Sequence, residues 1–320
     1  MVKVGLVGYG FGGRVFHAPF IVEAGLQLSG VVARSSAKRE QLTTDHPNVP
    51  VFDSLTELLA ADVADLIVIT TPPETHVDLS LEAIAAGTPV IVDKPFAPDA
   101  AQAQKVVDAA AAAEVPLGVF HNRRWDPDVR AINAVLDSGE LGETWSVHSR
   151  FDLDEPDGLE AGPAHGLLRD IGSHLVDQAI FLSGPAISVE ASLNEAQKDG
   201  FTVDAAFDVT LHHASGVHSH LHSTKLNHLA ERSWRVYGAK GAYTQTGTDE
   251  FAGGAVHTAD GVRPVPGAAT NAADYYRLVG QALENGTELP VTGAQGVKVM
   301  EVLDAARTSA RERRIVALEG

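Results

Sequence analysis

The chain has 320 residues, of which 24 are Lys or Arg and 42 are Asp or Glu, for a formal net charge of −18. That acid surplus excludes a general nucleic-acid-binding or anionic-membrane surface. With 44% hydrophobic and 21% charged residues, the composition is that of about two packed domains, not of a disordered chain.

No cysteine is present, which removes disulfides, thiolate metal sites and thiol nucleophiles. No stretch is apolar for long enough to cross a bilayer, and Met1 leads directly into Val2–Val7 without a basic, signal-like start. The expected location is the cytoplasm.

Taken in chain order, short β-branched runs stand at Val2–Val7, Leu28–Ala33, Asp65–Thr70, Pro89–Val92 and Leu117–Phe120. Between them lie helical patterns such as Pro73–Ala86, closed by Gly87, and Asp99–Glu114, closed by Pro116. Strands alternating with helices predict parallel strands joined by crossovers over residues 1–121. From residue 122 to 320 the pattern changes. Helices are expected at Asp128–Leu136 and from about Ile171 to Leu182, and strands at Thr144–Phe151, Ile187–Ala191, Ala205–His213, Val217–Lys225 and Trp234–Tyr237. Ala214-Ser215-Gly216 reads as a hairpin turn, and helices near Ala272–Glu284 and Gly293–Arg311 finish the chain. The expected class is α/β: a doubly wound parallel sheet, then an α+β domain with a large, mainly antiparallel open sheet.

Directly after the first strand comes Gly8-Tyr9-Gly10-Phe11-Gly12-Gly13, a G-x-G-x-x-G loop with glycines at 8, 10 and 13. The first glycine permits a tight turn, the second lets a pyrophosphate approach the backbone, and the third allows close helix packing. Helix-start amides then face the phosphates. The whole reads as a dinucleotide-binding Rossmann unit. An NAD site would place a carboxylate about 20 residues further on. The chain has Arg34, Ser35, Ser36, Lys38 and Arg39 there instead, with no acid before Glu40. Those cations and hydroxyls suit a 2′-phosphate, so NADP is expected and NAD is the second choice.

Lys94, in Val92-Asp93-Lys94-Pro95-Phe96 at the tip of the Pro89–Val92 strand, would reach the crevice where the reactive ring of a dinucleotide lies. Further on, Arg169-Asp170-Ile171-Gly172-Ser173-His174-Leu175-Val176-Asp177 would place Asp170, His174 and Asp177 on one helical face. An imidazole flanked by carboxylates suits a group that accepts a proton from an alcohol.

Together these residues resemble the glucose-fructose oxidoreductase, inositol dehydrogenase and MocA (Gfo/Idh/MocA) family. The resemblance rests on the Gly8–Gly13 loop, an E-K-P motif with Asp93 in place of Glu, and the D-x-x-x-H pair of Asp170 and His174. More narrowly, Phe16-His17-Ala18-Pro19, Val92–Phe96, Phe120–Asp126 and His174–Ala179 resemble the NADP-dependent scyllo-inositol dehydrogenase branch. The resemblance implies catalysis by Lys94, Asp170 and His174 on a cyclic polyol or sugar. It implies a nicotinamide-ribose loop at Thr70-Thr71-Pro72 with His76, and substrate and cofactor contacts from Asn122, Arg123 and Arg124. Homo-oligomers formed through the C-terminal sheet also follow from it. Reduction of another keto or anhydro sugar, and a non-catalytic NADP-binding sensor, are the alternatives.

His218, His220 and His222 alternate along one strand, with His212 and His213 across the turn. No carboxylate has matching spacing, so no metal site is expected.

Overall fold

The computed structural model describes residues 1–162, 165–247 and 253–318. The chain forms two compact units. The first comprises Met1–His121 and Ala272–Met300, the second Asn122–Asn271 and Glu301–Gly320.

In the first unit six strands, β1 (Lys3–Val7), β2 (Gln27–Val32), β3 (Val51–Phe52), β4 (Leu66–Ile69), β5 (Val90–Val92) and β6 (Leu117–Val119), form one sheet. Its order is β3-β2-β1-β4-β5-β6, and every pairing is parallel. Helices α1 (Ala18–Glu23), α2 (Ser36–Asp45), α3 (Leu55–Ala60), α4 (His76–Ala85) and α5 (Ala100–Ala112) make the crossovers. A sheet covered on both faces needs continuously apolar strands. Leu66–Ile69 and Val90–Val92 meet that need, with every residue at 0% exposure. The order reverses between β1 and β4, and the carboxyl ends of strands flanking such a switch point form a crevice. Helix α9 (Ala273–Asn285) belongs to the same unit and is tied to β6 by the Tyr275 hydroxyl, which donates to the Val119 carbonyl at 2.9 Å.

The second unit begins with α6 (Pro127–Asp137), β7 (Thr144–Asp152), α7 (Leu167–Asp170) and α8 (Gly172–Ser183). Strands β8 (Ala186–Lys198), β9 (Phe201–His213), β10 (His218–Thr224), β11 (Glu231–Gly238), β12 (Gly241–Gly247), β13 (Gly254–Thr258) and β14 (Gly261–Val265) follow. The closing helix α10 (Gly293–Glu312) counts with the first unit up to Met300, and β15 (Val316–Ala317) ends the described chain. The nine strands order as β14-β13-β12-β11-β7-β10-β9-β8-β15. Among the described residues only β10 and β7 pair in parallel in this sheet. Val129 and Ile132 of α6 pack with Val147, Trp234, Val236 and Tyr243 to form the core beneath one sheet face.

The expected hairpin is present: β9 and β10 pair with His218 opposite His212, and Gly216 takes φ +86°, a conformation glycine adopts without steric cost. The helix expected from about Ile171 to Leu182 is present as α8, but Asp170, expected on one helical face with His174, lies outside it. Asp170 ends α7, and Ile171 separates it from α8. Among the described residues no helix is long and apolar enough to cross a membrane.

Candidate active site

In the first unit the chain leaves β1 through Gly8, at φ +106°. A Cβ on Gly8 would lie 3.0 Å from the Thr70 carbonyl oxygen, and one on Gly13 only 2.4 Å from the Gly8 carbonyl oxygen. These two glycines are therefore demanded by the close approach of the loop to β4. Gly10 differs: a Cβ there would meet only Lys38 Nζ, at 3.8 Å. The loop thus leaves open space beside its middle glycine, with an ammonium at the edge, as a dinucleotide pyrophosphate requires. After Gly12 the backbone makes one π-helical turn, Gly13–His17, before α1 begins.

The other predicted cofactor residues divide by environment. Arg34, Ser35, Ser36 and Lys38 are exposed beyond β2, and Ser35 caps α2 by accepting the Lys38 amide. Arg39 donates to the Ala33 carbonyl at 2.8 Å and pairs with Asp53. The Tyr9 ring is buried and its hydroxyl donates to Asp45 at 2.9 Å, whereas Phe11 is exposed. Thr70 Oγ1 donates to the Gly8 carbonyl, joining the loop after β4 to the glycine turn. Thr71 and Thr75 hydroxyls bond each other at 2.6 Å, and Pro72 precedes a 3₁₀ turn at Pro73–Thr75.

His76 is buried, with Nε2 2.8 Å from the Thr71 carbonyl and Nδ1 3.0 Å from the Pro95 carbonyl. It ties that loop to the Lys94-Pro95 turn, whose peptide bond is cis. Burial lowers its pKa, with Asp93 opposing. The Lys94 amide donates to Asp93 Oδ1 at 2.7 Å. Burial pushes the Asp93 carboxyl up. The charge and hydrogen bond of His17, with Lys94 and His76 behind it, bring the carboxyl below its ordinary value.

In the second unit Asn122–Trp125 forms a 3₁₀ turn. Arg124 makes a bidentate pair with Asp177, Nη2 to Oδ1 at 2.7 Å and Nε to Oδ2 at 2.9 Å, and both side chains are buried. Asp177 is therefore engaged with Arg124. Arg123 pairs with Asp126 at 3.0 Å and lies over the Phe151 ring, while its carbonyl accepts from the Gln178 side-chain Nε2. His174 is buried in the first turn of α8. Asp170 Oδ2 lies 3.6 Å from Nζ of Lys225, a buried lysine that also donates to the Gly158 carbonyl at 3.0 Å. Asp204 holds the start of α7 by accepting the Leu168 amide, and pairs with Arg307 at 2.8 Å. Lys225 had no signal in the sequence, since a single lysine after a strand belongs to no motif. His17 lay in a quoted motif without a role.

The histidines of β10 face outward beside His148 of β7, with the His148 and His220 ring centroids 4.6 Å apart. His213 faces the other way, buried between the Gly184 carbonyl and the Ser219 hydroxyl. Among the described residues no group of three or more His, Cys, Asp or Glu is placed to hold a metal ion.

A family model described as "Oxidoreductase family, NAD-binding Rossmann fold" matches residues 2–121, and one described as "GFO/IDH/MocA C-terminal domain" matches residues 129–244. The chain belongs to the Gfo/Idh/MocA oxidoreductase family. It is 31% identical to the uncharacterized oxidoreductase YdgJ of Escherichia coli, over 99% of both chains. It is 27% identical to the scyllo-inositol 2-dehydrogenase (NADP(+)) IolW of Bacillus subtilis, over 99% of this chain and 96% of that one. Among solved structures, the YPO2259 protein of Yersinia pestis superposes with a TM-score of 0.90 at 31% identity, covering 100% of this chain and 97% of the other.

Proposed function

We propose that this oxidoreductase is an NADP-dependent dehydrogenase of a cyclic polyol or sugar, with scyllo-inositol and its keto form as the first substrates to test. One observation carries the reading: the Lys94 turn is built directly against the glycine loop. A Cβ on Gly12 would lie 3.3 Å from Asp93 Oδ2, which supports a Lys94 turn that works beside the phosphate-binding backbone. The name of the IolW relative supports both the substrate class and the cofactor.

The cofactor preference is supported by the exposed Arg34, Ser35, Ser36 and Lys38 beyond β2, which offer charge and hydroxyl donors to a 2′-phosphate. Arg39 is already engaged with Asp53, so in this reading Arg34 and Lys38 carry the discrimination. Nicotinamide supplies the hydride acceptor or donor when bound. In the oxidation, His174 takes the hydroxyl proton, Lys94 donates a hydrogen bond to the same oxygen, and Asp170 orients the imidazole. Asn122 and Arg123 contact the substrate. Positioned donors of this kind act through alignment and proton transfer.

We also assign the exposed face of the nine-stranded sheet to contact with a second copy of the chain. Its support is an outward aromatic pair, Trp145 stacked on Tyr237 with centroids 5.5 Å apart, where an exposed tryptophan has apolar area to bury. Sedimentation equilibrium reads the mass.

The test is turnover of a panel of cyclic polyols and keto sugars, followed at the reduced-nicotinamide absorbance with each cofactor. Expected are activity on inositols, a higher kcat/KM with NADP than with NAD, and a loss of about 10²-fold or more in kcat for His174→Ala with NADPH still bound. Binding of NADPH without turnover on any panel member would overturn the enzymatic reading in favour of a sensor. A clear preference for NAD would overturn the cofactor assignment.

A further inference from the structure

Position 93 carries Asp where the family motif has Glu, and the contacts of the shorter carboxylate give the substitution a physical reason. Asp93 Oδ1 accepts the Lys94 amide, and Oδ2 lies 3.2 Å from Nε2 of His17. His17 Nδ1 is 2.6 Å from the hydroxyl of Tyr276 on α9. His17 is delivered by the π turn that follows the glycine loop, and its ring lies against Phe120 with centroids 4.1 Å apart. Both His17 and Tyr276 are fully buried. Single π turns within α-helices are frequent at functional sites.

The protons in this chain are fixed by chemistry. Burial, Tyr275 and Asp93 raise the Tyr276 phenol well above its ordinary value, so it keeps its O–H. The Asp93 carboxyl stays ionised and can only accept. The imidazole between them therefore turns Nε2–H to the Asp93 carboxylate and Nδ1 to the Tyr276 hydroxyl. Glu at position 93 would carry its carboxylate one methylene further, into the space bounded by the His17 ring and Gly12.

We propose that His17 and Tyr276 are positioning residues for Lys94: they hold the Asp93 carboxylate against the Lys94 amide and so fix the turn and the counter-charge from which the ammonium works. This rests on the reading of Lys94 as a group of the active site. The other groups facing Asp93 are Lys94 itself and the buried His76, which is anchored on the Pro95 carbonyl. The role also makes Asp at 93 obligatory in this chain, so Asp93→Glu, which restores the motif residue, impairs the enzyme.

The experiment reads Lys94 directly. Competitive acetylation with acetic anhydride, followed by mass spectrometry, gives the reactivity of the Lys94 amine against pH in the cofactor-free protein. Asp93→Asn and His17→Phe should each raise labelling at pH 8 by about threefold or more, because the ammonium loses a held carboxylate that favours its charged form. Tyr276→Phe should act in the same direction and less, and His17→Gln, which keeps a donor for Asp93, should retain more of the wild-type profile. Binding of NADPH, followed by fluorescence, should stay within about twofold, and kcat on scyllo-inositol should fall about tenfold with KM nearly constant. Asp93→Glu should behave like His17→Phe, and His17→Asn combined with Asp93→Glu should recover part of the loss. Unchanged Lys94 labelling in both Asp93→Asn and His17→Phe would overturn the proposal, as would wild-type turnover by Asp93→Glu. Shifted labelling in a protein that turns over no polyol supports the positioning role while refuting the substrate assignment.

Discussion

In the first unit the polar side chains nearest the proposed chemistry are held largely by backbone. His76 bridges two carbonyls, and Asp93 takes a main-chain amide. In the second unit the polar side chains are held by one another. Arg124 pairs with Asp177, and Arg232 pairs with Asp128 and Asp126, with Asp128 at 0% exposure and also accepting the Trp234 indole N–H. The contrast is physical. A parallel sheet buried on both faces leaves its chemistry on short loops at strand ends, where main-chain groups are plentiful. The broad antiparallel sheet buries charge beneath one face, and a buried charge survives only when paired. The buried Arg–Asp pairs of the second unit are thus part of its fold, whereas the Lys94 turn of the first rests on main-chain contacts and one side-chain relay through His17.

The largest expected effect that would break this comparison lies in the second unit. Asp128→Ala leaves the Arg232 guanidinium and the Trp234 N–H without a main acceptor and should cost about 3–5 kcal/mol of stability. Urea denaturation reads it, and a loss below about 1 kcal/mol would show that the pairing is dispensable. Lys94→Ala should do the opposite: a kcat lower by roughly 10²-fold or more, with the melting temperature moved by no more than a few degrees. A large drop in melting temperature in that variant would erase the distinction between the two units.

A third prediction concerns acid. Burial first, with neighbouring cationic groups for His148 and His220, lowers the pKa of His76, His148, His213 and His220 in the folded chain. Below the ordinary histidine value of about 6.5 the unfolded chain binds protons that the folded chain refuses, so stability present above that pH is lost progressively as the pH falls. Melting temperature should decline from pH 7.5 to pH 5, and His213→Gln should flatten the decline; an unchanged slope would remove His213 from the set. The smallest effect is local to the first unit. Asp99 caps α5 by accepting the Gln102 amide at 2.8 Å, and Asp99→Ala should cost about 1 kcal/mol without altering turnover.

The sequence made the first unit legible because its information is local. Val4, Leu6 and Ile67–Ile69 form apolar runs bounded by turn residues, and the glycine loop and Lys94 sit within a few residues of strand ends. The second unit was read in part. The strand expected at Ile187–Ala191 extends to Lys198, because Ser192–Lys198 pairs through its backbone with Phe201–Asp208 while its own side chains are mostly polar. In the same way β12 and β13 bury few large apolar residues, Tyr243 and Val256 among them, so no hydrophobic run marks them. Asp170 and His174 matched a motif, yet the shared helical face that their spacing suggested spans two helices that meet at Ile171. Contacts between distant positions left no trace: nothing local connects His17, Asp93 and Tyr276, or Lys225 and Asp170. Periodicity also does not say which unit α9 packs on.

The edges of the nine-stranded sheet have a consequence of their own. One border is β14, where Pro264 has no amide hydrogen to offer and Arg263 carries charge; the other is β15, only two residues long. At β14 the missing amide and the charge interrupt the template that an incoming strand would use, a device by which natural proteins avoid uncontrolled stacking into fibres. On its β14 side the sheet is thereby poorly suited to the end-on recruitment of a further strand.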